Sequence, residues 1–300
     1  MELRQLQYLV DVVDEGSFTK AAAKAHVAQP GVSAQIRRLE RELGHPLLDR
    51  SGGQVRPTDA GAAVLPYVRA ALRATADVRH TVDALSGLVR GHLSVGSVAS
   101  ISTPRIDLPG MLADFHRRHR GIDISLTEAS TDRLVEALRG GRLDIALIGL
   151  GASLPDDIVT RVVAAEPLVA AVAHDHPLAG RESVTLAALS EHSLIALPAG
   201  TGLRARLDAA ASGAGLTLRI AFEAGDPHLL GQLASRGLGV AILPRSAAAA
   251  HAGTLHVLSL TRPRLQGHIA LAWRSHQQPS PAAQAFLAHA AGAIALTDPG

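Results

Sequence analysis

The stretch from Ser17 to Arg50 constrains the fold most, because it reads as two short helices joined by a tight turn and followed by a loop. Gly16 ends a preceding helix, so Ser17 can cap the next one with its hydroxyl. Alanines keep that next helix thin and let another helix cross it closely; they are Ala21, Ala22, Ala23 and Ala25. Gln29 and Pro30 open the second helix, where the missing N–H of proline costs no hydrogen bond. The segment therefore predicts a closely packed helix pair.

The second helix of this pair has two chemically different faces. Its apolar residues follow the spacing of one buried stripe: Val32, Ile36, Leu39 and Leu43. On or beside the opposite face we expect Ser33, Ala34, Arg37, Arg38 and Arg41. Gly44 then ends the helix. An ordinary amphipathic surface helix with solvated arginines has the same pattern, so the helix alone does not decide between a solvated face and a binding face.

Positive charge is concentrated in this part of the chain, although the whole sequence carries a net charge of only +2. Between Gly16 and Thr58, seven Lys or Arg residues stand against three acids, which is a local charge of +4. A helix pair with one basic outer face is the arrangement that places a helix in the major groove of DNA. The local charge therefore supports contact with DNA phosphates.

The first 61 residues resemble the N-terminal domain of the LysR-type transcriptional regulators, a bacterial family with a winged helix-turn-helix. The matching positions follow at fixed spacing without gaps, from Leu3 through Phe18, Ala21, Ala22, Val27, Gln29, Pro30, Val32, Ser33, Gln35, Ile36, Leu39, Glu40, Leu43, Gly44, Leu47 and Arg50 to Thr58, Ala60 and Gly61. The chain departs from the family pattern at Ala25, Ala28, Ala34, Leu48 and Pro57. Ala34 matters most, because many members carry a base-reading arginine at that position.

The resemblance implies that the helix over residues 29–42 enters the major groove. Near the base edges we expect Gln29, Ser33, Arg37 and Arg38. Phosphate contacts that set the register are expected from Arg4, Thr19, Arg50 and Arg56. Ser17 and Pro30, which start the two helices, complete the predicted DNA-binding set.

Flanking elements complete a predicted DNA-binding domain over residues 1–58. A first amphipathic helix precedes the pair, and Ser51-Gly52-Gly53 looks like the turn of a wing. Thr58 caps a long helix, so residues 59–90 form a predicted linker. A heptad seam runs along it through Val64, Val68, Ala71, Thr75, Val78, Val82 and Leu85. The seam favours pairing with a second copy, and the alternative is that it packs on its own domain.

Beyond Gly91, short apolar runs alternate with helical patterns. We expect strands at Leu93–Gly96, Ile122–Thr127, Leu143–Ile148, Pro167–Ala173, Ser193–Ala196, Leu218–Phe222, Val240–Leu243 and Gly267–Trp273. Helices are expected at Pro104–His119, Thr131–Arg139, Thr201–Ala211, Pro227–Ser235, Arg245–Ala250 and from about Pro281. This order predicts an open parallel sheet with helices on both faces.

Residues 91–300 resemble, more loosely, the effector-binding domain of the same family, which is like a periplasmic binding protein. The resemblance implies two lobes, with lobe I at about 91–161 and 267–300 and lobe II at about 162–266. The predicted fold class is therefore α+β overall: an N-terminal winged helix-turn-helix, a long linker helix, and an α/β two-lobed periplasmic-binding-protein-like domain.

Ligands of open α/β sheets bind outside the carboxyl ends of strands, near helix N-termini. That rule selects short polar residues for an effector site between the lobes: Ser97, Ser100, Ser102, Thr103, Ser130, Thr131, Thr201 and Asp226. Helix capping is the ordinary role of such residues, and the two roles can coexist. Arg105 or Arg204 would suit an anionic effector; the alternative is that both are solvated surface arginines.

Composition and missing motifs exclude other classes of protein. The chain has no cysteine, which removes disulfides, thiolate metal sites and cysteine redox switches. No uninterrupted apolar run approaches the roughly 18 residues of a membrane helix, and no apolar leader precedes the first helix, so we expect a soluble cytoplasmic protein. HExxH, a Walker loop and a GxGxxG after the first strand are missing, so we expect no enzyme, no cofactor and no metal site.

The sequence thus predicts a ligand-responsive, sequence-specific transcription regulator. Its expected partners are double-stranded promoter DNA, a small-molecule effector and further copies of itself in a homodimer or homotetramer. RNA polymerase is a further candidate partner, and no membrane is expected. The competing hypothesis is a stand-alone solute-binding module whose N-terminal helices only mediate oligomerisation.

Overall fold

The computed structural model describes residues 1–51, 54–85, 91–99, 106–151, 154–275 and 279–296. The chain divides into two compact units. The first comprises Met1–Val89 with the short stretch Arg139–Arg142, and the second comprises Arg90–Leu138 and Leu143–Gly300. Among the residues that the structure describes, no helix is long and apolar enough to cross a membrane.

The first unit consists of helices and a two-stranded wing. Its helices are α1 (Leu3–Glu15), α2 (Phe18–Lys24), α3 (Gln29–Leu43) and α4 (Asp59–Leu85), and its antiparallel strands are β1 (Leu48–Asp49) and β2 (Arg56–Pro57). Gly16 ends α1 with a φ of 62°, and the Ser17 hydroxyl caps α2 by accepting from the Lys20 N–H. The Thr58 hydroxyl accepts from the Gly61 N–H at 3.1 Å. These predicted helix boundaries are confirmed; Gly52 and Gly53 of the wing turn lie outside the described residues.

The core of this unit is formed by the inward faces of its helices. The fully buried side chains include Leu9, Val12, Ala21, Val32, Ile36 and Leu39. Leu43, predicted for the same stripe of α3, is 40% exposed, because the helix ends at the next residue, Gly44. Ala23 is also exposed, so only part of the predicted alanine face packs.

The predicted heptad seam on α4 divides into two parts. Val68 is buried in the core of the first unit, and Val64 packs against that core. Further along, Val78 and Val82 are 66% and 60% exposed. The beginning of the seam therefore packs on its own domain, while its later part is left exposed, as pairing with a second copy would require.

The second unit is a mixed α/β domain. Its strands are β3 (Gly91–Ser97), β4 (Ile122–Glu128), β5 (Ile145–Leu150), β6 (Ile158–Ala173), β7 (Ser183–Thr185), β8 (Ser193–Ala196), β9 (Arg219–Glu223), β10 (Val240–Pro244), β11 (Leu255–Thr261) and β12 (Gln266–Arg274). Its helices are α5 (Leu108–Arg118), α6 (Thr131–Arg139), α7 (Leu186–Leu189), α8 (Gly202–Gly213), α9 (Pro227–Ser235), α10 (Arg245–Ala249) and α11 (Pro281–Leu296). The strand order is β4-β3-β5-β12-β6-β10-β8-β9, and β11 pairs with β6 and β7.

The sheet is mixed rather than wholly parallel, which corrects the prediction. Strands β3, β4 and β5 are parallel to one another, as are β8, β9 and β10. Strand β12 runs antiparallel to β5 and β6, and β6 runs antiparallel to β10 and β11. The two parallel groups are therefore joined through antiparallel strands.

Strand β6 joins the two parts of the sheet. Its first ten residues, Ile158–Pro167, pair with β12, and its remainder, Leu168–Ala173, pairs with β10 and β11. The sequence predicted only the second half of this strand, and it did not predict β7, α7 or β11. At the other end of the chain, β12 pairs with β5, and Phe286 of α11 packs edge-on against Phe115 of α5 at 5.2 Å. The last strand and helix thus pack against β5 and α5, and the assignment of residues 267–300 to lobe I stays a prediction.

Replacing Val78 and Val82 together by Asp should weaken self-association by roughly tenfold or more, because a covered helix seam would then bury two unpaired charges. Sedimentation velocity over a concentration series measures this. The thermal unfolding of the single chain should change little, since both side chains are exposed. Ala76→Asp, at an exposed position of α4 outside the seam, is the control. Unchanged association of the double variant would remove these valines from the self-contact.

Candidate nucleic-acid interface and candidate ligand cleft

Helix α3 exposes one face at the surface of the first unit. The exposed residues of this face are Pro30, Gly31, Ala34, Arg37, Arg38 and Arg41, and Gln29 at the start of the helix is exposed as well. A Cβ atom built at Gly31 would meet no atom within 4 Å outside its own helix backbone. Small residues flanked by arginines allow the helix backbone to approach a charged partner closely. The predicted basic face is therefore present, apart from Ser33.

Ser33 lies on the packed side of α3, which corrects the prediction that it belongs to the exposed face. The residue is only 8% exposed. At 3.6 residues per turn, Ser33 stands roughly 60° round the helix from Ile36. A buried stripe at least about 100° wide includes both residues. Ser33 therefore contributes to the packing of α3 in this structure.

The orientation of α3 is also held by a polar contact that the sequence did not reveal. Buried Gln5 of α1 donates its side-chain N–H to the Gln35 side-chain oxygen at 3.1 Å. The same Gln5 accepts from the Glu2 N–H at 2.9 Å, which closes a capping box at the start of α1. One buried amide thus links the first turn of α1 to the middle of α3.

Two of the predicted phosphate-contacting arginines, Arg50 and Arg56, lie in or beside the wing. Arg50 donates to the Glu40 carboxylate at 2.9 Å, and its guanidinium carbon lies 4.9 Å from the centre of the Phe18 ring. Arg56 on β2 is exposed. Asp49, the strand partner of Arg56, accepts through its carboxylate from the Ser51 hydroxyl and N–H at 2.6 and 2.9 Å, and these hydrogen bonds lower the pKa of Asp49. The turn thus begins with a fixed aspartate.

The remaining predicted DNA contacts lie on α1 and α2. Arg4 donates from Nε to the Tyr8 hydroxyl at 2.9 Å and lies over the same ring at 5.7 Å. Thr19 is exposed in the first turn of α2, two residues after the N-cap Ser17. The Ser17 hydroxyl caps α2, and its predicted place in the DNA-binding set stays a prediction.

The second unit contains a cleft of about 320 Å³ beside the first residues of α6, α8 and α9. Three of the predicted effector residues line it: Ser130, Thr131 and Thr201. Most of the remaining lining is apolar and includes Val98, Ala129, Leu197, Ala199, Leu203 and Ile269. The cleft therefore combines an apolar wall with hydroxyls and with the backbone N–H groups of helix starts.

Ser97 and Asp226 are not among the described residues that line the cleft. Buried Ser97 donates its hydroxyl proton to the Val98 carbonyl at 2.9 Å. Asp226 caps α9 by accepting from the His228 N–H at 2.9 Å. In this structure Ser97 is therefore a buried packing residue, and Asp226 is a helix cap. The other predicted residues, Ser100, Ser102, Thr103 and Arg105, lie outside the described residues.

Glycines bring the two walls of the cleft together. A Cβ atom on Gly202 would lie 2.3 Å from the Gly149 carbonyl oxygen, and one on Gly151 would lie 2.1 Å from the Gly202 carbonyl oxygen. Thr131 donates to the same Gly149 carbonyl at 3.4 Å. The start of α8 thus touches the end of β5 at backbone distance, which side chains would prevent. This contact joins segments far apart in the chain and has no local sequence signal.

Glu166 also lines the cleft and was not predicted, because it lies in the half of β6 that the sequence did not reveal. Its carboxylate accepts from the Ser246 N–H and hydroxyl at 3.1 and 3.0 Å. Among the described lining residues there is no Lys, Arg or His. Arg204, considered for an anionic ligand, pairs with Asp208 and Glu223. Although burial opposes it, these hydrogen bonds raise the pKa of Arg204.

His119, one of the histidines that could suggest a metal site, packs against an aromatic ring. The His119 ring lies 4.6 Å from the Phe115 ring, and burial lowers the pKa of His119, with His289 and Arg118 adding to the effect. Within the described residues, no three His, Asp or Glu side chains come together in a group that could hold a metal ion.

Two family models match this chain. Residues 3–62 match the bacterial regulatory helix-turn-helix protein, lysR family, and residues 86–295 match the LysR substrate binding domain. Among curated relatives, the RuBisCO operon transcriptional regulator of Allochromatium vinosum is 33% identical over 81% of this chain and 79% of its own length. The uncharacterized HTH-type transcriptional regulator YnfL of Escherichia coli is 32% identical over 98% of this chain and 99% of its own.

Solved structures have the same fold over nearly the whole chain. A full-length OxyR variant from Pseudomonas aeruginosa has a TM-score of 0.78 at 27% identity and covers 99% of this chain and 95% of its own. Full-length CbnR complexed with its target DNA has a TM-score of 0.63 at 28% identity, with 98% and 100% covered. The fold of this chain is therefore shared with these solved structures.

Gly202→Ala should lower the unfolding temperature of the protein, because its Cβ would meet two backbone groups that cannot move aside independently. Overpacking of this kind costs about 1–3 kcal/mol. Gly213→Ala at the other end of α8, where a Cβ meets nothing within 4 Å, is the matched control and should stabilise or do nothing. Scanning calorimetry measures both. Equal unfolding temperatures would mean that the contact between α8 and β5 opens without cost.

Proposed function

The chain belongs to the LysR family of bacterial transcriptional regulators, and we propose that it binds promoter DNA by inserting α3 into the major groove. Gln29, Arg37 and Arg38 would face base edges. Ala34, in the middle of the same face, would offer an apolar contact, such as one to a thymine methyl group. The target sequence would then differ from that of members with arginine at this position.

The observation that carries this proposal is the division of α3 into two faces. Val32, Ile36 and Leu39 are fully buried, whereas Ala34, Arg37 and Arg38 are exposed. Within the described residues, the only ion pair that these two arginines form is a 3.7 Å contact between the exposed side chains of Arg38 and Glu2. Exposed pairs of this length contribute little, so both charges remain available to a nucleic acid.

Backbone contacts would come from the elements around α3. We propose that Arg4, Thr19, Arg50 and Arg56 contact phosphates and set the register of α3. Ser17 and Pro30 would act indirectly, because they start the helices that carry these contacts. Ser33, being buried, would support α3 from its packed side rather than read bases.

A small-molecule effector would bind in the cleft of the second unit. Ser130, Thr131 and Thr201 would orient its polar groups, and the apolar wall would cover the rest of the molecule. We propose the division predicted from the sequence, namely residues 1–58 for DNA binding, 59–90 for the linker and 91–300 for the effector, with lobe I at 91–161 and 267–300 and lobe II at 162–266. An effector that binds one arrangement of the lobes better than another would shift the population of DNA-binding states.

The relatives of this chain are transcriptional regulators, and we propose that this protein likewise has no enzymatic activity. Self-association through α4 would place two DNA-binding domains on neighbouring half-sites. RNA polymerase and a location in the cytoplasm stay predictions from the sequence. Membership of the family argues against the alternative of a stand-alone solute-binding module.

Arg37→Ala should weaken binding to the DNA upstream of its own gene by roughly five- to 150-fold, because a lost base contact costs about 1–3 kcal/mol. Binding to a shuffled duplex should weaken less, so discrimination falls. Fluorescence anisotropy at fixed salt measures both affinities. Arg236→Ala, which removes the same charge from the exposed end of α9, is the control. Failure of the unaltered protein to bind this DNA, with small-molecule binding retained, would favour the solute-binding module.

A further inference from the structure

Glu40 on α3 is bonded to three groups of the segment that leads into the wing. Its Oε1 accepts from the backbone N–H groups of Leu47 and Leu48 at 2.9 and 3.2 Å. Its Oε2 accepts from Nη2 of Arg50 at 2.9 Å. The Glu40 side chain is only 14% exposed. One carboxylate is therefore committed, through both oxygens, to the first strand of the wing.

Thr58, just before α4, also bonds to the segment that leads into the wing. Thr58 donates its N–H to the Leu47 carbonyl at 3.0 Å and its hydroxyl proton to the Pro46 carbonyl at 2.7 Å. Leu47 and Leu48 are themselves buried in the core. The segment Pro46–Leu48, the wing root, is thus held between α3 and the start of α4. Glu40 makes the contacts from α3, and Thr58 makes those from the start of α4.

Arg50 has an orientation set by two neighbours. The Glu40 carboxylate holds one end of the guanidinium, and the Phe18 ring lies beneath it at 4.9 Å. The described hydrogen bonds of Arg50 use one of its five N–H donors. Its side chain is 34% exposed, so the remaining donors can reach a group outside the protein.

We propose that Glu40 is a positioning residue for DNA binding, which holds Arg50 and the wing in register with α3. This inference rests on the proposed contact between Arg50 and a phosphate. A carboxylate beside DNA repels phosphates, so its charge alone would weaken binding. Its net effect is favourable because it orders a guanidinium before the DNA arrives, and preorganisation of this kind lowers the cost of binding.

Whether removal of the Glu40 charge strengthens or weakens DNA binding distinguishes a positioning role from simple charge repulsion. Removing the Glu40 charge without changing its size should strengthen DNA binding if only repulsion matters. If Glu40 positions Arg50, the same change should weaken binding and should remove one phosphate contact. That loss reduces the slope of log affinity against log salt by about 0.9, which loss of stability alone would not do.

The test uses Glu40→Gln in the full-length chain, with fluorescence anisotropy on the DNA upstream of its own gene at several salt concentrations. We expect roughly tenfold weaker binding, since hydrogen bonds to charged groups are among the stronger ones. Glu42→Gln is the matched control, because it removes the same charge two residues further along α3, where the carboxylate contacts the N-terminal amine. This control should bind as tightly as the unaltered protein or slightly more tightly.

Two further variants, Arg50→Gln and the combined Glu40→Gln and Arg50→Gln, complete a double-mutant cycle that measures the coupling between the two residues. The double variant should bind no more weakly than Arg50→Gln, because both changes remove the same contact. Full affinity and an unchanged salt slope in Glu40→Gln, with a reduced slope in Arg50→Gln, would overturn the positioning role and leave the phosphate contact standing. An unchanged slope in Arg50→Gln would overturn both.

Arg50→Lys keeps the test decisive if Glu40→Gln destabilises the fold. Lysine preserves the positive charge and leaves the Leu47 and Leu48 bonds to Glu40 intact, but it lacks the planar fork that the carboxylate and the ring orient. We expect it to bind several-fold more weakly than the unaltered protein. Affinity equal to that of the unaltered protein would show that charge alone suffices, and the positioning role would be wrong.

Discussion

The burial of Val32, Ile36 and Leu39 is the packing contact on which the first unit depends. Burial of such side chains stabilises a fold by roughly 1.5–3 kcal/mol each. Because all three lie on one stripe of α3, the opposite stripe remains unpacked and carries the arginines. The same helix also carries Glu40, which fixes the wing root. Stability and the surface offered to DNA are therefore properties of one helix.

Elements with local signals were predicted well from the sequence. Helices α6 and α9 and strand β8 begin and end where the sequence predicts, because caps, Pro227 and flanking loops mark their limits. The first half of β6 was missed because few of its side chains are buried, which leaves little apolar pattern. Strand β11 depends on pairing with β6 and β7, and such distant pairing is not encoded in its own residues.

The candidate sites show the same division between local and distant causes. The arginines of α3 were placed correctly because helical spacing determines their face, whereas Ser33 stands close enough to Ile36 to be buried. Glu40 gave no signal, since an acid on an amphipathic helix is ordinarily solvated. The contact of Gly202 with Gly149 arises only when two remote segments meet. The sequence pointed to the cleft-lining hydroxyls of Ser130, Thr131 and Thr201 because both helix capping and ligand binding favour short polar residues at helix starts.

Strand β6 has a mechanical consequence for the second unit. It is one unbroken strand of sixteen residues, hydrogen-bonded to β12 along its first part and to β10 and β11 along the rest. Any change in the angle between those two parts must twist this strand, and the ladders on either side resist the twist. If a ligand changed that angle, part of its binding free energy would be taken up in twisting the strand, and the strand would favour the original angle once the ligand left.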